Sequence, residues 1–180
     1  GEKPERTPGP RHFYTTCGPG WAFAQDTPFR RFKSWVHEGG ISTPLIARWP
    51  GTIPRGSMTH SVGHIIDLLP TCLDVAGARY PSTYNTQPVL PVEGRSLLPL
   101  LRGGTRAGHQ RLFWEWAGNR AVRDGKWKLC WDRAHKRWEL YDMIADRTEL
   151  DDLSNQHPAR VAALRAAWKD WAHHTGVRIR

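Results

Sequence analysis

Four short runs between residues 111 and 142 limit the possible folds of this chain more than any other feature. They read RLFWEW, NRAVR, KWKLCW and RWELYD, and each has the aromatic and alternating character of a β-strand. Asp124-Gly125 joins the second run to the third, and this dipeptide between strand-like runs indicates a two-residue hairpin. The region therefore predicts a four-stranded antiparallel sheet.

This sheet is predicted to have one apolar face and one solvated face. Side chains alternate between the faces of a strand, and the third run places Trp127, Leu129 and Trp131 opposite Lys126, Lys128 and Cys130. A helix is expected to follow, with Pro158 in its first turn and Gly176 after its end. Its apolar stripe is Val161, Leu164, Trp168 and Trp171. The chain has 10 Trp, and sheet and helix must pack together to bury them.

The chain before residue 107 gives weaker structural signals. Residues 1–28 and 78–94 are rich in Gly and Pro and predict loops. PLIARW at 44–49 predicts a strand that ends at a Pro-Gly turn. HIIDLLPTCLDVAGA predicts a helix with Asp67 as N-cap, Gly77 at its C-terminus and an apolar stripe of Leu69, Leu73 and Ala76. Ser96 is expected to cap a short helix, LLPLLRG. The change of pattern places a domain boundary near residue 107, dividing the chain into 1–107 and 108–180.

Charge and cysteine content exclude several classes of protein. Lys and Arg exceed Asp and Glu by 26 to 17, a formal net charge of +9 that favours anionic partners but is spread along the chain. The 3 Cys are far apart and form no CxxC, so the sequence indicates neither a disulfide framework nor a zinc knuckle. No apolar run approaches the ~20 residues of a membrane span.

A basic cluster precedes a glycine pair in FRRFKSWVHEGG, residues 29–40. A Lys ammonium suits compact oxyanions such as sulfate, and Gly39-Gly40 allows close approach of the backbone. The simpler alternative is that Arg30, Arg31 and Lys33 coat a loop. Glu38 could orient Lys33 by a hydrogen bond or balance the neighbouring Arg charges. His37 could approach a substrate, but a structural or surface role is expected.

Several motifs of the chain resemble the sulfatase family, of arylsulfatase type. They are TPFRRFKSWVHEGGISTPLIARWPG, HIIDLLPTCLDVAGA, EGRSLLPLLRG, NRAVRDGKWKL and WELYDMIADRTELDDLSNQHP, and they occur in the family's order from about Gly18 to Gly176. The resemblance implies an α/β fold: the C-terminal part of an alkaline-phosphatase-like sulfatase domain, at 1–107, followed by a small α+β subdomain at 108–180. It also implies sulfuric ester hydrolysis, with Lys33 as the catalytic and substrate-binding lysine that contacts a sulfate oxygen.

The family's other catalytic motifs do not occur in this sequence. The resemblance implies Ca²⁺ and a formylglycine made from Cys or Ser in C/S-x-P-x-R, but Cys17, Cys72 and Cys130 lie in other contexts. The metal-binding Asp pair and the D-N-G calcium motif are also absent. We therefore expect the C-terminal portion of a sulfatase, inactive alone, whose partners are a sulfate ester and the N-terminal part of the same enzyme. The resemblance is compatible with secretion or a periplasmic location, which the sequence leaves undetermined.

Two alternatives remain at this level. The chain could be a non-catalytic basic module that binds sulfated or other polyanionic polymers. The Trp-rich hairpin at 127–131 could stack on single-stranded nucleic acid, although tryptophans that face their own helix explain the pattern better, and we expect no nucleic acid as partner. His60, His64 and the His173-His174 pair are expected to be capping or packing residues, and Asp151-Asp152 are expected to belong to a turn and a helix cap.

Overall fold

A computed structural model describes residues 17–178. The helices are α1 (Gly18–Asp26), α2 (Glu38–Ile41), α3 (Leu68–Ala76), α4 (Leu98–Leu101) and α5 (Pro158–His174), and a 3₁₀ turn spans Ile65–Asp67. The strands are β1 (Thr83–Tyr84), β2 (Gln87–Pro88), β3 (Arg111–Trp116), β4 (Asn119–Asp124), β5 (Trp127–Asp132) and β6 (Arg137–Asp142). The chain divides into two compact units, one of residues 17–43 with 113–178, the other of residues 44–112.

The predicted sheet is confirmed. Strands β3 to β6 lie in sequential order, and β4 pairs antiparallel with β5, as β5 does with β6. The hairpin loop consists of Gly125 and Lys126, one residue later than the predicted Asp-Gly pair, and Gly125 has a φ of 57° that suits a turn glycine. Helix α5 packs on one face, where the core consists of Val122, Leu129, Leu140, Leu164, Trp168 and Ala172.

The opposite face of the sheet is buried, so the prediction of a solvated face was wrong. Lys128, Cys130 and Asp132 on β5, and Glu139 and Tyr141 on β6, all have 0% exposure. Residues 29–43 cover this face, and Val36 packs there against Ala121 and Cys130. The alternation of polar residues could not indicate this burial, because a polar strand face is ordinarily solvated. The segment that covers the face also lies about 90 residues away in sequence.

The unit of residues 44–112 agrees with the predictions only in part. Helix α3 ends at Gly77 with a φ of 62°, as predicted. Asp67 precedes α3, but its side chain makes no capping bond to that helix. Leu69 and Ala76 are exposed, so the predicted apolar stripe is not buried. Ser96 does accept a hydrogen bond from the Leu98 amide at 3.1 Å, at the start of α4.

Two further segments differ from the predictions. Residues 44–49 form no strand, and Leu45 and Ile46 are 62% and 90% exposed. A strand needs a neighbour to complete its backbone hydrogen bonds, and the described residues provide none for this segment. The loop predicted for 1–28 is interrupted by α1 at residues 18–26, and its residues 1–16 lie outside the described range. The division of the chain into domains at residue 107 stays a prediction.

The two units should differ in hydrogen exchange. Amides of β5, β6 and residues 35–40 should exchange slowly, because both faces of the sheet are covered. Amides of residues 44–63 should exchange rapidly, because this segment is largely exposed and belongs to no helix or strand. Mass-spectrometric exchange on the 180-residue chain would measure this difference. Equal protection of residues 44–63 and β5 would contradict it.

Candidate functional site

The segment that carries Lys33 is attached to the sheet by buried ion pairs. Lys128 is wholly buried on β5, and its Nζ lies 2.9 Å from Glu38 Oε1 and 2.8 Å from Glu149 Oε1. Glu149 also accepts a hydrogen bond from the Glu38 amide at 2.7 Å. Glu38 therefore pairs with Lys128 and, through Oε2, with Arg147 at 3.4 Å, and the suggested hydrogen bond between the Lys33 ammonium and the Glu38 carboxylate is not formed.

Electrostatic interactions favour the charged forms of Lys128 and Glu38 despite their burial. Burial by itself lowers the pKa of Lys128, but its surroundings, including Cys130, Glu149 and Glu38, raise that pKa above its ordinary value. Burial raises the pKa of Glu38, yet Lys128, Arg123 and Arg147 together outweigh this effect and the net shift is downward. Removing one partner of a buried pair typically costs about 3–5 kcal/mol, because the other charge is left uncompensated. The cluster thus makes the position of residues 37–41 depend on the sheet.

A second group of polar residues surrounds Glu139. Its carboxylate accepts hydrogen bonds from Tyr141 and from Arg137, and His37 Nε2 lies 2.9 Å from Oε2. Arg30 donates to Glu139 Oε1 at 3.2 Å and also to the Tyr141 hydroxyl. Burial raises the pKa of Glu139, but these donors, His37 first, hold that pKa well below its usual range. His37 is therefore structural, as predicted, and Arg30 is not a simple surface charge.

Arg31 also binds the sheet. Its Nη2 donates to Asp132 Oδ2 at 2.8 Å, and its guanidinium lies 4.3 Å from the centroid of the Trp35 ring. Asp132 has 0% exposure, and its Oδ2 also lies 2.7 Å from His135 Nδ1. The interpretation of Arg30 and Arg31 as a loop coating was therefore wrong. Nothing local in the sequence shows these bonds, because each joins residues more than 100 positions apart.

Lys33 lies in a turn between two sets of residues that are bonded to the sheet: Arg30 and Arg31 precede it, and His37 and Glu38 follow it. It is exposed, and no ion pair joins it to any other residue between 17 and 178. The neighbouring residues Arg31 and Ser34 both have positive φ, at 67° and 82°. Such conformations cost about 1–3 kcal/mol each and persist where surrounding contacts determine them. The turn thus presents a cation to solvent from a well-anchored backbone.

The glycine pair supports this turn by close backbone approach. A Cβ at Gly39 would lie 2.2 Å from the carbonyl oxygen of Arg31, and one at Gly40 would lie 2.1 Å from that of Trp35. Only glycine allows these contacts without a shift of the backbone. The backbone that approaches Gly39 and Gly40 closely is that of the chain's own turn at residues 30–35.

A separate polar cluster in the other unit centres on Asp67. Its buried carboxylate accepts from Arg106 at 2.8 Å and from the Arg95 amide at 2.8 Å, and His109 Nε2 lies 2.7 Å away. The His64 amide donates to it at 2.9 Å, and the His64 side chain accepts from the Ile66 amide, which agrees with the predicted capping role. These bonds join three loops, so the cluster stabilises the unit and leaves the carboxylate no free oxygen for chemistry.

The described residues do not fit the calcium and formylglycine implied by the resemblance. Within residues 17–178 no group of three His, Cys, Asp or Glu side chains has the arrangement of a metal site. The buried carboxylates Glu38, Glu139, Glu149 and Asp132 are all bonded to cations or backbone amides of the chain itself. Cys130 is buried, which raises the pKa of its thiol, and Cys17 and Cys72 are exposed outside the signature. These side chains therefore provide neither a calcium site nor a formylglycine precursor of the family's pattern.

The comparison with known families identifies the class of this chain. The family model described as N-sulphoglucosamine sulphohydrolase, C-terminal, matches residues 29–170. The match covers most of the chain, which therefore belongs to the sulfatase family as a C-terminal portion. No helix among residues 17–178 has the length and apolar character needed to cross a membrane.

Individual relatives agree with this assignment. The chain is 31% identical over 166 residues to an uncharacterized sulfatase of Schizosaccharomyces pombe, covering 89% of this chain and 30% of that protein. It is 38% identical over 102 residues to human arylsulfatase A, covering 53% of this chain and 18% of that protein. The chain thus spans about 30% or less of the length of these relatives.

A solved structure supports the fold. A protein of Bacteroides thetaiotaomicron, from a study of glycosaminoglycan metabolism, superposes with a TM-score of 0.63 at 20% identity. The superposition covers 79% of this chain and 31% of that one. The fold is accordingly the C-terminal part of an alkaline-phosphatase-like α/β sulfatase domain, followed by a small α+β subdomain with a four-stranded antiparallel sheet and a C-terminal helix.

The buried carboxylates predict loss of stability in acid. The pKa values of Glu38, Glu139 and Asp132 all lie below their unfolded values near 4. Ionised carboxylates therefore stabilise the folded chain above that pH, and the free energy of unfolding should fall as the pH drops from about 5 towards 2. Urea denaturation of the 180-residue chain at several pH values measures this.

The control for this experiment is Asp170→Asn. Asp170 is exposed on α5, so its substitution should leave the pH dependence unchanged. Asp132→Asn should make the dependence shallower, because it removes one of the carboxylates whose pKa is lowered on folding. A free energy of unfolding that stays constant between about pH 6 and pH 3 would contradict the prediction.

Proposed function

We propose that this chain forms the C-terminal part of an arylsulfatase-type sulfuric ester hydrolase, and that Lys33 binds the sulfate group in the complete enzyme. Membership of the sulfatase family supports the reaction class, and the similarity to arylsulfatase A supports the type. The observation that carries the role of Lys33 is its place on an anchored turn, exposed and unpaired among the described residues, while the neighbouring Arg30 and Arg31 are engaged by carboxylates.

The role of Lys33 follows from the chemistry of sulfate-ester cleavage. Negative charge grows on the sulfate oxygens and on the leaving oxygen as the S–O bond breaks. A preorganised ammonium stabilises that charge without reorganising in the transition state. The anchors of the turn supply this preorganisation, because they hold the backbone on both sides of Lys33. The formylglycine and Ca²⁺ of the family would have to be supplied by residues outside this chain.

A non-catalytic role in binding polyanionic polymers is the second candidate. The net charge of +9 favours it. The ion pairs weaken this interpretation, since Arg30, Arg31, Lys128 and Arg147 are committed to carboxylates of the chain itself. Trp127 and Trp138 pack against the core under α5, which also weakens the nucleic-acid alternative.

The isolated 180-residue chain should not hydrolyse an aryl sulfate, with or without calcium. The sequence has no formylglycine signature, and the described carboxylates do not form a calcium site. Release of the phenol from an aryl sulfate is the measurement, with buffer as blank. Turnover that is abolished by a substitution within the chain would overturn the proposal that this portion is inactive alone.

Lys33→Ala in the full-length protein should lower kcat by about 10²–10³, the usual cost of removing one preorganised stabilising donor. Lys33→Arg should restore activity only in part, because a planar guanidinium does not reproduce the point charge of an ammonium. Unchanged circular dichroism and calcium content would exclude misfolding as the cause. The matched control is Lys169→Ala, an exposed lysine on α5, which should leave kcat unchanged. Near-normal kcat/KM for Lys33→Ala would refute the assignment.

A further inference from the structure

The two residues with unfavourable backbone conformations beside Lys33 are each bonded to the same end of the sheet. Arg31, with a φ of 67°, donates through Nη2 to Asp132 Oδ2 at 2.8 Å. Ser34, with a φ of 82°, accepts a hydrogen bond at its carbonyl oxygen from Asn119 Nδ2 at 3.2 Å. Non-glycine residues adopt this region at a cost, so their occurrence on both sides of one side chain requires external support.

The two supporting residues are themselves rigidly placed. Asn119 begins β4 and Asp132 ends β5, one position beyond the paired residues Arg120 and Trp131 of the same ladder. Asn119 and Asp132 are 6% and 0% exposed. Asn119 Oδ1 also accepts from the Arg133 amide at 3.2 Å, so both ends of its amide group are used. Burial and further hydrogen bonds therefore hold both side chains in place.

Two further contacts restrict the turn from within. The guanidinium of Arg31 lies over Trp35 at 4.3 Å from the ring centroid, which braces the two ends of the turn against each other. The Trp35 amide donates to the Phe32 carbonyl oxygen at 3.1 Å. Together with Asp132 and Asn119, these contacts determine where the backbone of residue 33 lies.

We propose that Asn119 and Asp132 are positioning residues for Lys33: through Ser34 and Arg31 they hold the turn that aims the ammonium at the sulfate group. This inference rests on the proposed function of Lys33 and goes beyond it by assigning roles to residues of the small C-terminal sheet. The sheet then takes part in catalysis without contacting the reacting atoms. Loss of either anchor lets the turn relax and displaces Lys33 while its charge is retained.

The kinetic test uses Arg31→Ala and Asn119→Asp in the full-length protein with an aryl sulfate as substrate. Asn119→Asp keeps the acceptor for the Arg133 amide but removes the donor to Ser34. Because a displacement of about 1 Å can cost about 10²-fold in rate, each variant should lower kcat by about 10- to 100-fold. Arg31→Lys should retain most of the activity, since its ammonium can still pair with Asp132.

Double variants separate positioning from a general effect on folding. In a Lys33→Ala background, Arg31→Ala and Asn119→Asp should cause no further loss, because the group that they position is absent. The control is Arg165→Ala, which removes an arginine lying 5.7 Å from the Trp138 ring centroid and should not change kcat. Losses that multiply in the Lys33→Ala background would overturn the proposal in favour of a structural role.

Hydrogen exchange provides a readout that does not depend on activity. In the 180-residue chain, Arg31→Ala and Asn119→Asp should accelerate exchange at the Trp35 amide, with α5 unchanged. Unaltered exchange together with unaltered kcat would overturn the positioning roles and leave the proposed function of Lys33 intact. If Lys33→Ala itself has no kinetic effect, the proposed function fails, and the positioning roles fail with it.

Discussion

The unit of residues 17–43 and 113–178 depends on the ion pairs that one fully buried lysine forms with two glutamates. Lys128 lies on the middle of the sheet, Glu38 on the covering segment and Glu149 on the loop after β6. A charged group in this position must be compensated, since an unpaired buried charge costs several kcal/mol (about 3–5 when one partner of a pair is removed). If the covering segment left the sheet, it would take Glu38 away from Lys128, and the buried lysine would keep only one of its two carboxylate partners.

The covering segment consequently has two kinds of residue with opposite roles. Arg30, Arg31, His37 and Glu38 face the sheet and bond to its buried polar side chains, whereas Lys33 is exposed on the turn between them. Gly39 and Gly40 allow the turn to lie directly on α2. The cluster of basic residues is thus mostly a means of attachment, and the attachment gives the remaining lysine a defined place.

The two faces of the sheet are stabilised by different physics. On the α5 side, Leu129, Leu140 and Trp168 form an apolar core, and Trp168 Nε1 donates to the Trp114 carbonyl oxygen at 3.0 Å. This face supplies hydrophobic stabilisation that is insensitive to moderate changes of pH. The other face consists largely of ion pairs and charge-assisted hydrogen bonds, in which the cost of burying the charges offsets much of the gain from pairing them.

The sequence by itself determined the sheet, the place of its hairpin to within one residue, helix α5 and the end of α3 at Gly77, because alternation, helical spacing and turn residues are local signals. It also indicated the family and pointed to Lys33 through ordered motifs. Only the tertiary structure decided that Lys128 is buried, that Arg30 and Arg31 bind Glu139 and Asp132, and that residues 44–49 form no strand. The reason is physical: a polar strand face has the same sequence pattern whether water or another segment covers it, and a strand forms only where a neighbour completes its hydrogen bonds.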